Sequence, residues 1–388
     1  MSQTSNSNNT KQTKNTEQMM KSAQSPKTTA HPPKNTHQSR HNAKKEFFAT
    51  LEKVLFCDDF ATKKSLFNSL YDDFLSENLY FAHDSTPQTR LNLFTPAPIV
   101  APSKLTRAKG TSPLDATART LHSIAHIEFC AITLALDSAY RFRHLPAVYY
   151  ADWLAVAREE MEHFSLLADV LAEIGYKYGD FSAHAGLYDA MARTASSLAH
   201  RMGVVHRGLE ARGLDANPFV LAKLKNITSN ATSKIGAPIF GKQIFGKQIF
   251  SKIEEVFGVI LRDEISHVNK GDRWWRFAIE DVGCNALSAN ATRAMPKVDS
   301  DSTPLANDCD ATLHVTSNAT LASADSKALN FAEEQFLALC ADFDEFILAG
   351  KILNTKARLQ AGFSTNELQL LENFYKTRKQ KISKKHKI

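Results

Sequence analysis

Cysteine is scarce in this chain: five among 388 residues, at Cys57, Cys130, Cys284, Cys309 and Cys340, an odd and scattered set. No two stand in a Cys-x-x-Cys spacing, so neither a thiolate zinc site nor a disulfide framework is suggested. Long apolar runs are missing too. Nothing approaches the roughly 18 residues of a membrane span, and the polar N-terminus lacks the apolar core of a secretory signal. A cytoplasmic chain without a membrane partner is expected. Alternating apolar–polar runs of the strand type are absent, which points to an all-α fold.

A net positive charge is missing from most of the chain, despite a formal net charge of +6. Residues 1–45 hold eight Lys/Arg against one Glu, and residues 376–388 hold seven Lys/Arg and no acid, which leaves about −8 for residues 46–375. An acidic body with basic ends is a poor general surface for nucleic acid, and any RNA contact is expected only through the tails.

The pattern divides the chain. Residues 1–45 have almost no aliphatic side chains and read as a disordered basic tail. Residues 46–110 read as an N-terminal helical extension, apolar-periodic from Phe47 to Leu79, followed by a Pro-containing loop. Four long apolar-periodic segments follow at about 114–141, 147–175, 187–213 and 251–280. They make residues 111–283 a four-helix unit interrupted by a loop insertion at 226–250, which contains a tandem "GKQIF" repeat. Residues 284–327 read as a flexible low-complexity linker, 328–375 as C-terminal helices and 376–388 as a basic tail.

Chemistry is suggested by the stretch "REEMEH" at Arg158–His163 and its near copy "RDEISH" at Arg262–His267. Both fit Arg-acid-Glu-x-x-His. Trp153, Val156, Glu160, His163, Leu167 and Val170 fall on one helical stripe, as do Val256, Ile260, Glu264, His267, Gly271 and Trp274. Each Glu and His therefore interrupts an apolar face, whereas Glu162 falls on the far side. The other two helices each supply an inward acid. Glu128 lies among Leu121, Ile124, Ala131 and Ala135, and Glu210 lies among Ala199, Gly203, His206 and Leu214. The small residues on these stripes are expected to leave room for ions or substrate.

A buried carboxylate needs a partner, because its desolvation is costly. Glu, Glu-x-x-His, Glu, Glu-x-x-His on four successive helices is the donor set of a carboxylate-bridged di-metal site in a helix bundle. Glu128, Glu160, His163, Glu210, Glu264 and His267 are the expected ligands of two Fe ions, with Mn or mixed Mn/Fe as alternatives. Glu159 and Asp263 are placed to take the outer N–H of a ligand histidine from the facing helix, and His206 is a weaker candidate for supporting Glu210.

The segments "HIEFCAITLALD", "LPAVYYADWLAVAREEMEHFSLLADVLAEIGYKYGDFSAHAGLY", "LEARGLD" and "ILRDEISHVNKGDRWW" resemble an uncharacterised bacterial family of the ferritin-like di-iron carboxylate superfamily. The similarity covers roughly 105–283, with weaker echoes at 46–80 and 328–372. It implies a ferritin-like four-helix bundle with extra N- and C-terminal helices and disordered tails, and it maps the metal ligands onto the same six residues. It supplies no substrate. The expected function is an oxygen-dependent oxidase or hydroxylase acting with dioxygen on an unidentified small molecule. The alternatives are a ferroxidase or other iron-handling or peroxide-detoxifying protein, and a non-catalytic helical interaction module.

Overall fold

The computed structural model describes residues 44–88, 94–105, 112–230, 239–287 and 329–385. They are mostly helical. Their only strands are the two-residue β1 (Lys45–Glu46) and β2 (Leu79–Tyr80), which pair in parallel. No helix among the described residues is long and apolar enough to cross a membrane.

Between the strands lie α1 (Phe47–Leu55) and α2 (Phe60–Leu75). The periodicity over 47–79 conceals a break between them. Asp59 ends it by accepting the Thr62 N–H at 2.8 Å as the α2 N-cap, and Glu46 caps α1 in the same way. After a short 3-10 turn, Pro102–Lys104, comes α3 (Pro113–Arg141), started by Ser112 accepting from the Asp115 N–H and by Pro113 at its first position. A turn with His144 at φ +58° leads into α4 (Ala147–Glu173), which stops at Gly175 with φ +83°, a value suited to glycine.

The third predicted segment differs most from expectation. α5 (Gly186–Arg193) is separate. A new helical run then begins with α6 (Leu198–His200), passes through a π-helical segment (Arg201–Leu209), and continues as α7 (Glu210–Asn230). α8 (Ile239–Leu287) follows. The segment 226–250, expected as a loop, is therefore helical at both ends, while 231–238 lies outside the described residues. The reason is visible in the second repeat copy: Ile249 joins Ile253, Val256 and Ile260 on one buried stripe. α8 also runs into the expected linker; 288–328 lies outside the described residues, as does 1–43.

The chain resumes with α9 (Phe331–Asp342), opened by an Asn330/Glu333 capping box, then α10 (Thr355–Gln360) and α11 (Thr365–Lys385). The segment expected as a basic tail is helical through Lys385. α3 packs along α4 and α7, and α8 packs along α4, the π-helical segment and α7. These packed helices enclose a core of which Leu121, Trp153, Leu167, Leu214, Ile253 and Val268 are fully buried members. Glu160, His163, Glu264 and His267 are buried among these helices.

Candidate metal centre

Glu128 projects from α3, Glu160 and His163 from α4, and Glu264 and His267 from α8. Glu160, His163 and His267 have no solvent exposure, and Glu128 and Glu264 are 3% and 8% exposed. Packing of the apolar stripes forces this: burying Trp153, Val156 and Leu167 carries Glu160 and His163 inward with them.

Donor atoms of Glu128, Glu160, His163 and Glu264 lie within 4.8 Å of one another, a group that could hold a metal ion. His163 Nδ1 lies 3.3 Å from Glu128 Oε2 and 3.4 Å from Glu160 Oε2. His267 Nδ1 lies 3.0 Å from Glu160 Oε1 and 3.8 Å from Glu264 Oε1. The two rings are 5.8 Å apart. Glu210 is not one of these four donors; its side chain is 8% exposed and lies 2.8 Å from His206 Nδ1.

The outer ring nitrogens are tied crosswise. His163 Nε2 donates to Asp263 Oδ2 at 3.2 Å, and His267 Nε2 donates to Glu159 Oε2 at 2.7 Å. Each helix thus orients the other's histidine, leaving both Nδ1 atoms to face the glutamates. Glu162 is exposed.

Without an ion, protons must balance these charges. Burial pushes the Glu128 and Glu210 carboxyls well up and the Glu264 carboxyl up, and a neighbouring glutamate charge adds to each. Burial opposes charge on Glu160 as well, but its contacts with His163 and His267 outweigh that and hold its carboxyl below the usual range. Burial alone would lower both histidines. Asp263, Glu128 and Glu160 around His163, and Glu159, Glu160 and Glu264 around His267, push them up instead. Asp263, though partly buried, is drawn down to about 2 by His163 and Arg262.

Proton balance still leaves polar atoms unsatisfied. Glu160 Oε1 and Oε2, Glu210 Oε2, Glu264 Oε2 and His267 Nδ1 are buried with no hydrogen-bond partner. Although His267 Nδ1 and Glu160 Oε1 are close, they are not aligned for a bond. Buried orphans of this kind call for an explanation, and a bound cation is one. Four glutamates carry up to four negative charges, which two divalent ions beside neutral histidines would cancel. The donor set therefore fits such ions.

The surroundings of the cluster depart from the sequence reading in part. Gly203 does not open space for ions; a Cβ there would meet Leu339 Cδ2 at 2.6 Å and Trp275 Cδ1 at 2.8 Å. His206 is fully buried, and Ser138 Oγ lies 2.8 Å from its Nε2. Ser138 is itself 3.4 Å from the buried Arg201, which also donates to Asp137 at 2.6 Å, Thr194 at 2.9 Å and the Met191 carbonyl at 2.8 Å. His122 and His126 stand outside the cluster. His122 Nε2 accepts the Gly179 N–H at 3.0 Å, and His126 joins the Tyr178 hydroxyl at 2.8 Å, so both pin the 175–185 segment to α3. Burial pushes the Cys130 thiol far above its ordinary range, consistent with an inert side chain.

The comparisons with known proteins agree with one another. The family described as "Protein of unknown function (DUF455)" matches residues 56–298. An "Uncharacterized protein" of Haemophilus influenzae is 31% identical over 350 residues, which cover 87% of this chain and 98% of that one. No solved structure matches. With more than half of the chain inside the family match and a relative aligned over nearly its whole length, the chain belongs to the DUF455 family of proteins of unknown function.

Proposed function

We propose that this chain is a ferritin-like four-helix bundle carrying a di-metal carboxylate centre, and that it works as an oxygen-dependent oxidase or hydroxylase on a small molecule. The bundle helices are α3, α4, the run from 198 to 230, and α8. The observation that carries the reading is the set of buried, partnerless oxygens on Glu160, Glu210 and Glu264, beside two histidines whose outer nitrogens are already taken.

Glu128, Glu160, His163, Glu210, Glu264 and His267 would hold two Fe ions, with Mn or a mixed pair fitting the same donors. Bound there, the metals would supply the electrons for reducing dioxygen. The protein's own part is positional. Glu159 and Asp263 keep both Nδ1 lone pairs aimed at the centre and favour the ring tautomer that can ligate. The fully buried Trp153, Val156 and Leu167 exclude bulk water from around Glu160 and His163.

Anaerobic reconstitution with Fe(II), metal analysis and an oxygen-uptake assay test this reading. Two irons per chain and uptake that follows an added organic substrate are expected. Uptake that scales only with excess Fe(II) points instead to an iron-handling protein. Well under one metal per chain removes the metal reading and leaves an interaction module.

A further inference from the structure

Arg207 is fully buried, yet it sits one residue from His206 and three from Glu210. Its Nε donates to Asp272 Oδ1 at 2.6 Å, and its NH2 lies 2.8 Å from Glu367 Oε1. Three rings surround the guanidinium: Phe363 at 4.0 Å, Phe336 at 4.3 Å and Trp275 at 4.5 Å. Asp272 and Trp275 belong to α8. Phe336, Phe363 and Glu367 belong to the C-terminal helices and the turn between them, and the family match ends before these, at residue 298.

The segment Arg201–Leu209 that carries Arg207 is π-helical. Its i→i+5 bonding slows the rotation of the chain relative to an α-helix, so the direction in which Glu210 emerges depends on the segment keeping that form. π-helical turns are rare and persist where their surroundings over-determine them. Here the surroundings are unusually close. A Cβ on Gly203 would collide with Leu339, one on Gly208 would stand 2.9 Å from Leu348 Cδ2, and one on Gly271 would stand 2.8 Å from the His206 carbonyl carbon. Leu339 and Leu348 are again C-terminal. A second buried pair acts about two turns further along: Arg358 donates to both oxygens of Asp215, at 2.9 Å and 2.7 Å.

We propose that the C-terminal helices clamp the π-helical segment through the buried Arg207 guanidinium and so fix the direction in which Glu210 faces, making Arg207 and Glu367 positioning residues of the metal centre. The clamp is a property of the chain itself; its consequence for metal rests on the di-metal reading above.

The test uses the full chain with Glu367→Gln, which keeps shape and removes the charge, and Glu372→Gln on the same helix as control. The Glu372 side chain is 41% exposed and pairs with the exposed Lys376. In metal-free protein, amide hydrogen exchange over 201–210 is expected to speed up about tenfold or more in Glu367→Gln, with α4 unchanged. In anaerobic Co(II) titrations followed by ligand-field absorption, one of two cobalt ions is expected to weaken by about 10- to 100-fold while the other keeps its affinity. A purely structural role would not split the two ions in this way. Wild-type exchange over 201–210 in the variant, or two cobalt ions at wild-type affinity, overturns the proposal. If wild-type protein binds no cobalt, the metal reading fails and the exchange rates alone decide the clamp. Should Glu367→Gln lose its helical circular dichroism, Phe363→Leu, which thins the ring cage, is read by the same two measurements.

Discussion

Glu159→Gln isolates the crosswise support of the histidines. Glu159 Oε2 accepts from His267 Nε2 at 2.7 Å, and its side chain is 27% exposed. The amide can still accept that N–H, so the ring keeps a partner and loses only the charge behind it. A hydrogen bond to a charged group contributes about 1.5–3 kcal/mol against about 0.5–1.5 kcal/mol for a neutral one. The difference is about 1 kcal/mol, and partial exposure keeps it near the low end. Since about 1.4 kcal/mol is tenfold in an equilibrium constant, metal affinity should fall about five- to tenfold. The assay is anaerobic competition between the protein and a chelator for Fe(II). Glu162→Gln, three residues on and exposed, is the control and should stay within about twofold of wild type. An unchanged Glu159→Gln, or a Glu162→Gln that falls equally, refutes the reasoning, because charge near the helix rather than ring orientation would then set the affinity.

Glu264→Ala removes one member of the four-donor group and should bring metal content after reconstitution well below the wild-type value, with helical circular dichroism retained. Gly203→Ala should cost about 1–3 kcal/mol in denaturant unfolding, because its Cβ meets Leu339 and Trp275 inside the distance that real contacts allow. His122 gives a pH effect. Burial, helped by the neighbouring His126, pulls its pKa down to about 4. The unfolded chain then binds the proton first, so stability is complete above about pH 6.5 and falls by up to about 3 kcal/mol as pH drops toward 4. His122→Gln keeps an acceptor for the Gly179 N–H without titrating, and unfolding measured from pH 7 to 4 should show a shallower loss.

The two Arg-acid-Glu-x-x-His stretches could be picked out because helical periodicity makes an inward polar residue conspicuous. A Glu three residues before a His, set in a stripe of Trp, Val, Ile and Leu, violates the apolar face in a way that a surface ion pair does not. The crosswise pairing could be anticipated for the same reason, since the residue before each Glu lies about 100° around the helix and borders the facing helix. Other features had no such signal. The loop expected at 226–250 misled because Gly and Lys in the repeat look irregular, although Ile249 continues the α8 stripe. Gly203 misled in the opposite sense: a small residue on a stripe can make a cavity or admit a neighbour, and only the neighbour decides which.

The sequence by itself determined the helical class, the acidic body and the inward Glu and His positions, because these depend on local periodicity and composition, which each segment carries alone. Only the tertiary structure decided that Arg201–Leu209 is π-helical and that the His206 beside Glu210 is itself held by Ser138. It also decided that Arg207 is enclosed by Asp272, Glu367 and three aromatic rings. Those outcomes come from contacts between residues up to about 160 positions apart. A buried arginine looks like any surface arginine until the carboxylates and rings that compensate its desolvation are brought around it.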